Sequence, residues 1–125
     1  MKTLIIGGGK RCRDLLDLTR SAFMREMHLD VIGVVDINPG APGLIYADEI
    51  GIDTYTNMRE AIDKTDPEVI IELTGEDEIV QELYPLLKPG ARLIDHFVVR
   101  LFWDLVSAKD HQERQLKEVR KLEQN

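Results

Sequence analysis

The chain has 125 residues, 43% hydrophobic and 31% charged, with a formal net charge of −7. That length suits one domain around one core, and the acidic balance argues against nucleic acid as a partner. A single cysteine, Cys12, excludes an internal disulfide, and the three histidines share no metal-ligand spacing with it or with one another, so no metal site is expected.

Cysteine usage points to a reducing, cytoplasmic setting. Leu4-Ile5-Ile6 is too short for a secretory core, and no run approaches the roughly 18 apolar residues of a membrane span. Thr3 to Ile6 reads instead as a short buried strand, followed by Gly7-Gly8-Gly9 and a helix starting at Lys10. Gly7 permits a tight turn off the strand. Gly9 lets a phosphate approach the backbone, where the helix start offers unpaired N–H groups and a positive dipole end. The stretch Gly7 to Cys12 matches the dinucleotide fingerprint G-x-G-x-x-G, with Cys12 in place of the third glycine. Lys10, Arg11 and Arg13 oppose the helix dipole, so they either await an anion or form a solvated helix start.

The helix is expected to run to about Met27, with Leu15, Leu16, Leu18, Ala22, Phe23 and Met27 on its apolar side and Arg20 outward. His28 and Asp30 mark its exit. Val31 to Val35 is a continuous apolar strand, of the kind found in parallel sheets covered on both faces. It ends in Asp36, 24 residues after Cys12, close to the spacing of about 20 for an acid that holds a ribose. Ile37-Asn38-Pro39-Gly40 opens a turn-rich loop beside the fingerprint. A short helix over Leu44 to Ile50 and a strand over Ile52 to Tyr55 follow.

Asn57 and Glu60 form a capping-box pattern for a helix from Met58 to about Lys64, which Asp66-Pro67 ends. Glu68 to Leu73 is the fourth strand, stopping at Thr74-Gly75. Glu76, Asp77 and Glu78 open a helix to about Leu87, which Pro85 should kink or shorten. Ala91 to Asp95 is the fifth strand. This alternation predicts a doubly wound α/β parallel sheet of about five strands, Rossmann-like, over residues 1–98. Ligands bind at the carboxyl edge of such sheets, where Thr74, Gly75, Asp95 and His96 fall.

Residues 99–125 read as one long helix, a coiled-coil or linker segment. Leu101, Leu105, Ala108, Gln112, Gln115, Val119 and Leu122 alternate steps of four and three, the seam of a coiled coil. Asp110 with Arg114, and Glu113 with Lys117, make i,i+4 pairs. Phe102, Trp103 and Val106 lie off the seam and suit contact with the sheet or a partner. A homodimer through this helix is expected, and in a longer natural chain the seam could continue into another module.

The runs Ile5 to Gly9, Gly33 to Pro39, Ile70 to Gly75 and Arg100 to Leu105 together resemble NAD(P)-binding Rossmann domains. They are similar to the cofactor domains of homoserine dehydrogenase and dihydrodipicolinate reductase, and to Rossmann-like N-terminal domains of bacterial signalling proteins such as sensor histidine kinases. The resemblance implies that Gly7, Gly8, Gly9, Lys10, Arg11 and Cys12 form the pyrophosphate turn. It implies that Asp36, with Ile37 and Asn38, takes the adenosine ribose and favours NAD over NADP, and that Thr74 and Gly75 border the nicotinamide. Those dehydrogenases carry a substrate domain after the fifth strand, where this chain has a helix.

Two classes of function follow. One is an NAD(H)-binding regulatory or sensory module without catalysis of its own, passing a signal to a downstream module. The other is the cofactor part of an oxidoreductase completed by a partner, in which Asp95 and His96 act as an acid–base pair. Against that pair, Asp95 can simply cap the strand while His96 packs under the last helix. A nucleotide-sugar or coenzyme A site on the same fold is a third reading.

Overall fold

A computed structural model describes residues 1–19, 25–26 and 28–124, without the side chains at 106–107, 109–111, 113 and 122–124. The strands are β1 (Lys2–Ile6), β2 (Asp30–Val35), β3 (Thr54–Tyr55), β4 (Val69–Glu72) and β5 (Arg92–Ile94). The helices are α1 (Lys10–Thr19), α2 (Pro42–Glu49), α3 (Met58–Thr65), α4 (Asp77–Leu83) and α5 (His96–Gln124), with a 3-10 turn at Tyr84–Leu86. The five strands are all parallel and lie in the order β3-β2-β1-β4-β5. This is the expected doubly wound α/β fold, with helices on both faces of the sheet.

The central strands are apolar because both their faces are covered. Ile5 stands beside Val34 and Ile71 in the register. One core layer joins Ile5, Val34 and Ile71 to Cys12, Leu15 and Leu16 of α1, Leu44 and Ala47 of α2, and Val99 and Trp103 of α5. The other joins Leu4, Ile6 and Ile70 to Ala61 and Ile62 of α3 and Leu83 of α4. The chain order reverses between β1 and β4, which opens a crevice at their carboxyl ends.

Local signals explain most boundaries. Asn57 Oδ1 accepts from Glu60 N at 3.0 Å, so α3 has its cap. The Glu60 carboxylate turns forward to Lys64 at 2.8 Å rather than back to the cap. Pro85 falls in the 3-10 turn, so α4 stops at Leu83 as a proline requires. The expected continuation of α1 through Arg20, Ala22, Phe23 and Met27 lies outside the described residues.

The last helix departs from expectation. It begins at His96, not at Val99, because Asp95 is its cap: Asp95 Oδ1 accepts from Val98 N at 3.0 Å. Of the seam, Leu101, Leu105, Ala108 and Val119 are exposed in the single chain. Leu122, Val106 and the acids of both expected i,i+4 pairs lie among the side chains not described.

Candidate functional site

The carboxyl ends of β1, β2 and β4 border a cleft of about 870 Å³. Gly7 forms its floor with Ile6, Asp36 and Ile37 stand at the end of β2, and Thr74 follows β4. Met58 and Arg59 of α3, and Ile79 and Glu82 of α4, line the remaining walls. Four of the expected ligand residues, Gly7, Asp36, Ile37 and Thr74, therefore meet in one place. Arg59 and the α4 wall carry no motif; only the sheet order brings them there.

Gly7 has φ +106°, and a Cβ on it would sit 3.0 Å from Thr74 N. A side chain is excluded on both counts, so β1 can turn directly against the end of β4. Ile37 is 90% exposed beside the cleft, an apolar wall with no core partner.

Asp36 points at the glycine turn. Its Oδ2 accepts from Gly8 N at 2.8 Å and its Oδ1 from Asn38 N at 2.8 Å. Each carboxylate oxygen keeps further acceptor capacity, and the carboxylate borders the cleft. Asp36 thus holds the turn and faces ligand space at once.

Several expected contacts take different roles. Gly8 is buried: its N–H goes to Asp36, and its carbonyl accepts from Gly43 N at 2.6 Å and Leu44 N at 3.2 Å. Its amide is therefore spent within the protein and not open to a pyrophosphate. Cys12 is fully buried against Gly43 and cannot touch a ligand. Burial, with Asp36 nearby, pushes its thiol up to about 12, so it stays protonated and inert. Its small size serves the packing of α1 on α2. Asn38 Oδ1 accepts from Gly40 N at 3.0 Å, closing its own loop. Gly75 N donates to Glu72 Oε2 at 3.0 Å.

The open part of the turn is Gly9, Lys10 and Arg11, all exposed. Arg13 lies over the Tyr46 ring at 5.7 Å, and Arg11 turns to the α5 side of the sheet. Neither guanidinium plugs the turn. The helix begins with Arg13 N donating to Gly9 O at 3.2 Å, which leaves the first amides of α1 directed at the edge.

The expected Asp95–His96 pair is not formed. Asp95 caps α5, and the His96 ring belongs to Glu72, at the end of β4. Glu72 is fully buried and accepts from Thr74 Oγ1 at 2.6 Å, Gly75 N at 3.0 Å, His96 N at 2.9 Å and His96 Nδ1 at 2.6 Å. Burial alone would raise its pKa, but the donors from Thr74, His96 and Gly75 together outweigh it, and Glu72 lies below its ordinary value. The Glu72 hydrogen bond, reinforced by the charges of Glu72, Asp77 and Asp95, raises His96 above its ordinary value despite burial. His96 Nε2 lies 3.3 Å from Asp77 Oδ1. Both ring nitrogens therefore face carboxylates, and His96 is not among the residues lining the cleft. Glu72 was hidden inside an apolar strand; the lone acid in Val69-Ile70-Ile71-Glu72 was the signal for it.

No protein-family model matches the chain, and no curated protein matches it. Among solved structures it is similar to phosphoribosylglycinamide formyltransferase of Coxiella burnetii, in complex with CHES, at 17% identity and a TM-score of 0.48. The match covers 58% of this chain and 40% of that one, so the chain spans under half of that protein's length. Among the described residues no helix is long and apolar enough to cross a membrane, and no His/Cys/Asp/Glu cluster could hold a metal.

Proposed function

We propose that the chain is a nucleotide-binding regulatory module that takes NAD(H) or a related adenine dinucleotide and reports its occupancy through α5. The observation that carries this is the cleft at the chain reversal, where Gly7, Asp36 and Thr74 converge. Ile37 and Ile79 offer apolar walls for an adenine. The spare acceptor capacity of Asp36 suits a ribose diol. The exposed Gly9 backbone and the start of α1 suit the pyrophosphate, with Lys10 beside it.

Glu72 supplies the connection to the helix. One buried carboxylate holds Thr74 and Gly75 at the cleft rim and His96 at the start of α5. A ligand that shifts the rim therefore acts on the same carboxylate that seats the helix. The exposed seam of α5 suits a second copy of the chain, and such a dimer would carry the shift onward. With both His96 ring nitrogens turned to Glu72 and Asp77, an acid–base role in an oxidoreductase has less support than binding alone.

Calorimetric titration with NAD, NADH, NADP and ADP-ribose tests the proposal. NAD and ADP-ribose bind, and NADP binds more weakly because Asp36 repels a 2′-phosphate. The NADP arm also weighs Arg59, the cation on the cleft wall. Absence of binding by all four at millimolar concentration would end the proposal.

A further inference from the structure

A second cavity, of about 210 Å³, lies on the opposite side of the same sheet edge, between α1 and α5. Leu73 lines it, while the next residue, Thr74, lines the cleft on the other side. Leu15, Val99 and Trp103 give it an apolar body, and Arg11 and Arg100 come to it from the two helices. We propose that this cavity is a separate ligand site for a small organic acid, its carboxylate held by Arg11 and Arg100 and its apolar part against Trp103.

Three observations carry this. Among the described residues neither Arg11 nor Arg100 has an ion-pair or hydrogen-bond partner. Both guanidiniums line the one cavity, and each can bind a carboxylate through two parallel N–H bonds. The Asp14 carboxylate at the rim offsets only one of the two charges. His96, also on the wall, is already matched by Glu72 and Asp77, so it adds no demand of its own. Finally, the volume lies below the roughly 300–1,000 Å³ of ordinary drug-sized pockets, which selects a small molecule over a nucleotide.

Trp103 is the only tryptophan in the chain, so its fluorescence reports on this cavity directly. The probe is benzoate, with neutral benzamide and inorganic phosphate as comparisons. Benzoate changes Trp103 fluorescence saturably, benzamide and phosphate act at least about tenfold more weakly, and Arg100→Gln weakens benzoate about tenfold or more. Arg11→Gln does the same from the other wall. Lys88→Gln, which removes a positive charge away from the cavity, leaves benzoate binding unchanged. Equal binding of benzamide or phosphate, an unaffected Arg100→Gln protein, or an equal loss in Lys88→Gln overturns the proposal. Displacement of benzoate by NAD but not by ADP-ribose also overturns it, by making the cavity the nicotinamide end of the dinucleotide site. The calorimetric result for ADP-ribose is independent of all these arms, so the two proposals fail separately.

Discussion

A Cβ added at Gly43 would lie 2.6 Å from Gly9 O, 2.7 Å from Gly8 O and 2.8 Å from Cys12 Cβ. Backbone atoms cannot step aside as a flexible side chain can, so Gly43→Ala should cost about 1–3 kcal/mol or more by overpacking, read as a lower urea midpoint. At Gly9 a Cβ would meet nothing within 4 Å. Gly9→Ala should leave stability within about 0.5 kcal/mol yet, on the proposed function, weaken dinucleotide binding about tenfold, because its methyl group would stand where the proposed phosphate approaches. The sequence motif marked Gly7 and Gly9. It missed Gly43, since a close approach between two helices leaves no spacing rule in one chain.

Glu72 and His96 give a pH signature. Glu72 is depressed in the folded protein, so its contribution is present above the ordinary carboxylate pKa and lost as pH falls through its lowered value. His96 is raised, so its contribution is full below the ordinary value of 6.5 and lost as pH rises through its folded pKa. The pair therefore stabilises most at mildly acidic pH and fades as pH climbs above 6.5. The stability difference between wild type and His96→Gln, from urea titrations across pH, should shrink in that direction. A difference that grows with pH would contradict the pairing. Glu72→Gln should cost about 3 kcal/mol, because it leaves buried donors facing an amide.

Among the elements, those with a strong local signal were legible and those set by a neighbour were not. The apolar strands β1, β2 and β4, the Asn57 cap and the break at Pro85 follow from residue type and spacing. The sequence alone starts α5 three residues late, at Val99 and not His96, because Asp95 reads equally well as a strand end and as a helix cap. Leu101, Leu105 and Val119 remain 50–70% exposed in the single chain, far more than a coiled-coil seam tolerates in water. Sedimentation should find a dimer at tens of micromolar concentration, and Leu105→Glu should return it to monomer. A wild-type monomer under those conditions would contradict a role for α5 as the dimer helix.

For the whole molecule, strand order matters more than any motif. The order β3-β2-β1-β4-β5 places Asp36, Gly7 and Thr74 along one edge although they are far apart in the chain. The alternation of strands and helices makes that edge legible, and Gly7, Asp36, Ile37 and Thr74 lie along it. The inward turn of Gly8 and Cys12, and the capture of His96 by Glu72, depend on side chains from distant segments meeting in three dimensions. The central claim is that a dinucleotide lies across this edge. The most direct test is amide chemical-shift mapping with ADP-ribose. The account predicts saturable shifts grouped at Gly7, Gly9, Lys10, Ile37 and Thr74, with the amides of β5 little moved. Shifts absent at millimolar ligand, or grouped away from the first strand–helix junction, would contradict it.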